Sequence, residues 1–151
     1  MKKLGFGLMR MPLLDQSDEA SIDLEQAKQM VDLFLQRGFT YFDTAIMYHN
    51  CASQRAAKEI LVDRYPRERF TLATKLHSSY FHSFEDRDRV FNEQLEQTGA
   101  GYFDYYLSCA CAFSCSIFLR LMAWEPPHQS EMGTLTVAKT MPKVWSLSSR
   151  L

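Results

Sequence analysis

Phe39-Thr40-Tyr41-Phe42-Asp43-Thr44 is β-branched and aromatic, and it stands between two stretches whose apolar residues recur at helical spacing. A strand with a helix on each side is the signature of parallel strands joined by crossovers, so this hexapeptide decides the fold. Upstream, Leu24, Ala27, Val31, Phe34 and Leu35 mark one helix face, with Asp23 as the expected N-cap and Gly38 as the expected C′ glycine after Arg37. Downstream, Ser53 is expected to cap a second helix running to about Tyr65, with Ala56, Ala57, Ile60 and Leu61 inward and Pro66 as the stop.

The alternation continues outward in both directions. Leu4-Gly5-Phe6-Gly7-Leu8-Met9 reads as a first strand before Pro12, and Phe70-Thr71-Leu72-Ala73-Thr74-Lys75-Leu76 as a third. Ser83-Phe84-Glu85-Asp86 has the form of a capping box with Asp in place of Glu or Gln. Val90, Phe91, Leu95 and Thr98 then share a helix face that Gly99 closes, and residues 102–107 supply a fourth strand. The expected class is α/β: about three and a half βα units of a partial TIM-type barrel, with strands near 4–9, 39–44, 70–76 and 102–107. No G-x-G-x-x-G follows the first strand, which disfavours a Rossmann dinucleotide site.

The 151 residues carry 17 Lys+Arg against 18 Asp+Glu, a net charge of −1. That balance excludes a strongly basic nucleic-acid binder, and no apolar run reaches the ~20 residues that span a bilayer. With no signal-like cleavage site, the expectation is a cytoplasmic protein whose four cysteines are reduced. Residues 1–107 hold 13 basic and 16 acidic side chains, whereas residues 108–151 hold 4 and 2 and three of the four cysteines. The domain boundary is therefore expected at 107, with an atypical tail over 108–151. Within that tail a weak strand is expected at 134–138, able to cover the open edge of the fourth strand. Two chains pairing across the same edge is the competing expectation.

Strand C-terminal ends are where parallel barrels carry their chemistry. Asp43, Tyr48 and Lys75 fall at such ends, and together they form a coherent proton-donating unit. A phenol ordinarily titrates near ~10; an ammonium beside it stabilises the phenolate, and a carboxylate holds the ammonium in place. The same three residues are equally accounted for as a loop tyrosine, a solvated lysine and a turn-capping aspartate. His49 is expected to line the pocket, while His77 and His82 read as loop residues. Met9, Met11, Met30 and Met47 read as packing, and Arg64, Arg67 and Arg69 as a solvated basic face. Cys109, Cys111 and Cys115 match no common four-ligand spacing, so no metal is expected.

Leu4-Gly5-Phe6-Gly7, residues 39–45 with Tyr48 five after Asp43, Ala73-Thr74-Lys75 and residues 102–107 resemble the aldo-keto reductase family in order and spacing. Leu8-Met9-Arg10-Met11-Pro12 is most similar to the bacterial branch whose full-length members often append a ferredoxin-like iron–sulfur segment. The resemblance implies NADP-dependent reduction of an aldehyde or ketone, with Asp43, Tyr48 and Lys75 catalytic and Tyr48 the proton donor. It also implies that Gly7, Leu8, Met9 and Asp43 lie beside the nicotinamide end of NADP, with a small carbonyl compound as substrate and neither nucleic acid nor membrane as partner. Two departures cut against activity. Cys109 stands where the family has its fourth catalytic residue, a histidine, and Ser53-Gln54 stands for the usual Ser-Glu. A complete barrel also needs ~250 residues. Leu121, Ala123, Trp124 and Glu125 loosely echo a family helix within a foreign tail, the pattern of a frameshift or degenerate gene end. The alternative expectation is a catalytically inactive truncated fragment, acting at most as a structural or interaction module.

Overall fold

The computed structural model describes residues 4–109 and 136–138. Their strands are β1 (Gly5–Gly7), β2 (Tyr41–Asp43), β3 (Thr71–His77), β4 (Tyr105–Cys109) and β5 (Thr136–Ala138), hydrogen-bonded in that order in one sheet. The first four run parallel, joined by crossovers that carry α1 (Leu24–Gln36), α2 (Ser53–Ala57) and α3 (Phe84–Thr98). This is the opening part of a TIM-type barrel, as expected. β5 lies antiparallel on β4, with Ser108 opposite Thr136 and Tyr106 opposite Ala138, so the expected tail strand does cover that edge.

Local signals explain most boundaries. The Asp23 carboxylate accepts from the Gln26 amide at 3.0 Å and starts α1. Ser83 accepts from the Asp86 amide at 3.1 Å, and the Asp86 carboxylate reaches back to the His82 amide at 3.1 Å. α3 ends at Gly99, whose φ of +63° is reached freely only without a Cβ. Leu8, Val31, Phe42, Ile60, Leu61, Leu72, Leu76, Val90 and Phe103 are almost or wholly inaccessible and fill the layer between sheet and helices. Phe34 meets Phe6 and Phe42 edge-on, with ring centroids 5.4 and 5.2 Å away, so α1 is docked on β1 and β2 by aromatic contacts.

Five expectations need correction. Ser53 is not a cap: it is the first residue of α2, and its hydroxyl is buried against Thr44 (2.9 Å) and the Leu8 carbonyl (3.3 Å). α2 widens into π-type turns over Lys58–Val62 and stops short of Tyr65. β4 begins at Tyr105 and not at 102, because the Asp104 carboxylate itself accepts from the Leu72 amide (2.8 Å) and from Arg67 (2.7 Å). Arg67 is accordingly not a solvated cation, and its side chain keeps 14% of its exposure. Of the four methionines among the described residues, Met11 and Met47 pack on the core, whereas Met9 and Met30 are exposed.

Candidate active site

Residues pointing away from the helices alternate along each strand, and the register sets Gly7, Asp43 and Ala73 side by side, with Lys75 next to Leu107. That places Asp43 and Lys75 on one face near the C-terminal ends of β2 and β3. The Lys75 ammonium donates to the Asp43 carboxylate and to the Thr44 carbonyl (3.1 Å). Both side chains are largely screened from solvent, at 18% exposure for Lys75 and 25% for Asp43. An ion pair so shielded is oriented more strongly than one on the surface.

Tyr48 follows on the loop after β2. Its amide donates to the Ala45 carbonyl (3.2 Å) and its own carbonyl accepts from Ser53 (3.2 Å), which fixes the backbone at both sides. The Lys75 nitrogen sits over its ring, 4.7 Å from the centroid. The three residues singled out in the sequence are thus brought together, with the lysine facing the aromatic ring as a cation–π pair.

Beyond Tyr48 the backbone adopts left-handed angles at three consecutive non-glycine residues: His49 (φ +53°), Asn50 (+48°) and Cys51 (+68°). Each costs about 1 kcal/mol relative to right-handed backbone, so the run persists only because its surroundings enforce it. Part of that enforcement is the buried His49 ring, which bonds to backbone groups of the β1–α1 loop. Tyr80, after β3, lies near the last of these residues: burial first, and then the neighbouring Cys51 side chain, raise its phenol above the ordinary value.

An open cleft of about 450 Å³ lies against this loop, lined by Met9, Arg10, Met11, Leu13, Glu19, Met47, Tyr48 and His49. Its size is that of a small-molecule site. Gly7 and Met9 border the same region in the open. A Cβ built on Gly7 would meet nothing within 4 Å, leaving room above the backbone beside Asp43. Leu8 differs from its neighbours, since its side chain is wholly buried, its amide donates to the Asp43 carbonyl (2.8 Å) and its carbonyl accepts from Ser53. Only its backbone borders the site.

Behind Lys75 lies a buried polar network that sequence reading missed. The Gln94 carboxamide donates to the Lys75 carbonyl (3.0 Å) and to the Thr74 hydroxyl (3.3 Å), and accepts from the Tyr106 phenol (2.8 Å). Gln54, in the position of the family's usual glutamate, also donates to Thr74 (3.0 Å), and its Oε1 is buried without a partner. Burial raises the Tyr106 phenol far above its ordinary value, so it stays protonated as a donor. Cys109 ends β4 opposite His77. Cys111, Cys115, His128 and the echo at 121–125 lie outside the described residues, and among the described residues no cluster of ligands could hold a metal.

The family model for aldo/keto reductases matches residues 3–125. The chain belongs to the aldo/keto reductase family. Its solved structural neighbours carry the same name. A thermostable aldo-keto reductase in complex with the inhibitor epalrestat superposes with a TM-score of 0.59 at 21% identity, covering 82% of this chain and 44% of that one. An aldo/keto reductase from Klebsiella pneumoniae in complex with NADP and acetate gives 0.58 at 17% identity, covering 78% and 39%. Another from the same organism, in complex with NADPH, gives 0.54 at 20% identity, covering 68% and 33%. This aldo/keto reductase chain thus spans less than half the length of those neighbours, and at these identities the likeness shows the fold alone. No curated protein matches the chain. Among the described residues, no helix is long and apolar enough to cross a membrane.

Proposed function

We propose that the chain reduces an aldehyde or ketone, with Tyr48 as proton donor, Lys75 and Asp43 as its electrostatic support, and NADP as the cofactor. The observation that carries this reading is the Asp43–Lys75–Tyr48 arrangement, whose tyrosine lines the cleft. The fit to a nicotinamide is local. Open space above Gly7, the exposed Met9 and the Asp43 carboxylate leave a surface for a flat polar ring, and Leu8 contributes backbone alone. Bound there, the cofactor would supply hydride to the carbonyl carbon. The remaining work falls to this chain's own side chains. Tyr48 would give its hydroxyl proton to the carbonyl oxygen, the Lys75 ammonium would stabilise the negative charge left on the ring, and Asp43 would keep that ammonium in place.

A second reading, a catalytically silent fragment, has its own observation. Cys109 holds the β4 position where the family likeness calls for histidine. A thiol cannot reproduce the donor geometry of an imidazole at a developing oxyanion. Titrating NADPH against the purified chain by cofactor fluorescence separates the two. Saturable micromolar binding, with turnover of an aldehyde that Tyr48→Phe abolishes at unchanged cofactor affinity, is expected for the enzyme. No binding at millimolar NADPH overturns it in favour of the silent fragment.

A further inference from the structure

His49 is 8% exposed and both its ring nitrogens are engaged, each by a different part of one loop. The Met11 amide donates to Nε2 at 3.1 Å. Nδ1 lies 2.8 Å from the Glu19 carbonyl. A backbone amide can only donate and a carbonyl can only accept, so the ring carries its proton on Nδ1 and presents a bare lone pair at Nε2.

Met11 and Glu19 lie on the two legs of a doubled-back loop between β1 and α1. Leu13 pairs antiparallel with Ile22, the Leu14 amide donates to the Ser21 carbonyl (2.7 Å), and the Asp23 amide to the Pro12 carbonyl (2.8 Å). The imidazole therefore ties both legs to the residue that immediately follows Tyr48. Met11, Leu13 and Glu19 are also one wall of the cleft, and Tyr48 and His49 are another.

We propose that His49 is a positioning residue: through its Nδ1–H tautomer it fixes the β1–α1 loop against Tyr48, setting the cleft width and the direction of the phenol. Its kinetic consequence rests on the reading of Tyr48 as proton donor; the placement itself does not. The ring bonds to Met11 and Glu19 together, and without it the three left-handed residues lose one of the anchors that hold them.

The test begins on the unaltered chain. Nitrogen-15 spectra of the imidazole are expected to show a protonated Nδ1 and a pyridine-type Nε2, with the Met11 amide protected from hydrogen exchange. A proton on Nε2, or an unprotected Met11 amide, overturns the proposal. In His49→Phe, which keeps ring volume without either bond, Met11 exchange should rise about tenfold, the scale of one lost hydrogen bond. The Tyr48 ring resonances should also move, and kcat for an aldehyde should fall about tenfold with the NADPH Kd unchanged. Lost protection at Met11 with Tyr48 resonances unmoved would leave a loop-stability role only and refute the positioning. A chain that binds no NADPH would defeat the functional reading, while the tautomer, exchange and resonance measurements would still decide the placement of Tyr48.

Discussion

Two cations, Lys75 and Arg67, sit at opposite ends of the same sheet, Lys75 paired with Asp43 of the neighbouring strand and Arg67, in the turn before β3, with Asp104, the residue just before β4. At the N-terminal ends, Arg67 donates to Asp104 (2.7 Å) and to the carbonyls of Phe70 and Tyr102 (2.9 Å each). Its guanidinium lies 3.8 Å from the Tyr102 ring centroid and 4.9 Å from that of Phe70. At the other end, Lys75 holds Asp43 and one carbonyl, and its remaining face is turned to Tyr48 beside an open cleft. The first joins the turn before β3 to the residue before β4, and the second joins β3 to β2. The planar guanidinium uses its two terminal nitrogens at the bottom of the sheet and leaves only its Nε buried without a partner, while the compact ammonium keeps the Tyr48 ring within its field.

That contrast can be broken by substitution. Arg67→Ala should lower stability by about 3 kcal/mol, because it strands a screened carboxylate and removes two ring contacts together. Urea unfolding checks it. Lys75→Met should lower stability by only about 1 kcal/mol in the same experiment while abolishing any aldehyde turnover, since Lys75 holds one carbonyl and one ring where Arg67 holds two of each. Equal losses from the two substitutions would erase the distinction between a structural and a chemical end.

Smaller effects sharpen it. Cys51→Gly relieves one left-handed residue at the site end and should stabilise the chain by about 0.5–1 kcal/mol in thermal unfolding, net of the lost thiol contact to Tyr80. A third pair, Arg64–Asp32, is exposed, and hydrogen bonding from Arg64 holds the Asp32 carboxyl below its ordinary value. A depressed carboxylate contributes stability that is fully present above its unfolded value near ~3.9 and is lost as pH falls through the folded one. Asp32→Asn should therefore flatten the decline of the urea midpoint below about pH 4, and an unchanged profile would remove this pair from the account.

The sequence made the repeating frame legible because its signals are local. Asp23, Ser83 and Gly99 terminate their helices with bonds to residues three or four away, and Phe42 and Leu72 are inward simply by alternation. What escaped is long in range. The bond from the Met11 amide to His49 spans 38 positions and that from Arg67 to Asp104 spans 37, and nothing in a window of a dozen residues announces either. Ser53 misled for the same reason: it has the chemistry of a cap, but Thr44 and Leu8 claim its hydroxyl. Asp43, Tyr48 and Lys75 became readable as a set only through the resemblance in motif order and spacing, whereas the Gln94 network behind Lys75 lies on a helix face that looks merely polar.

The reversed direction of β5 has a topological consequence. A parallel barrel advances by returning the chain to the same starting rim before every new strand, so each strand is a step around a closing cylinder. β5 makes no such return: Thr136 pairs near the rim where β4 ends and Ala138 near where it began. Thr136 thus re-enters the sheet beside the exit of Cys109, and among the described residues the strand at this edge runs against the other four.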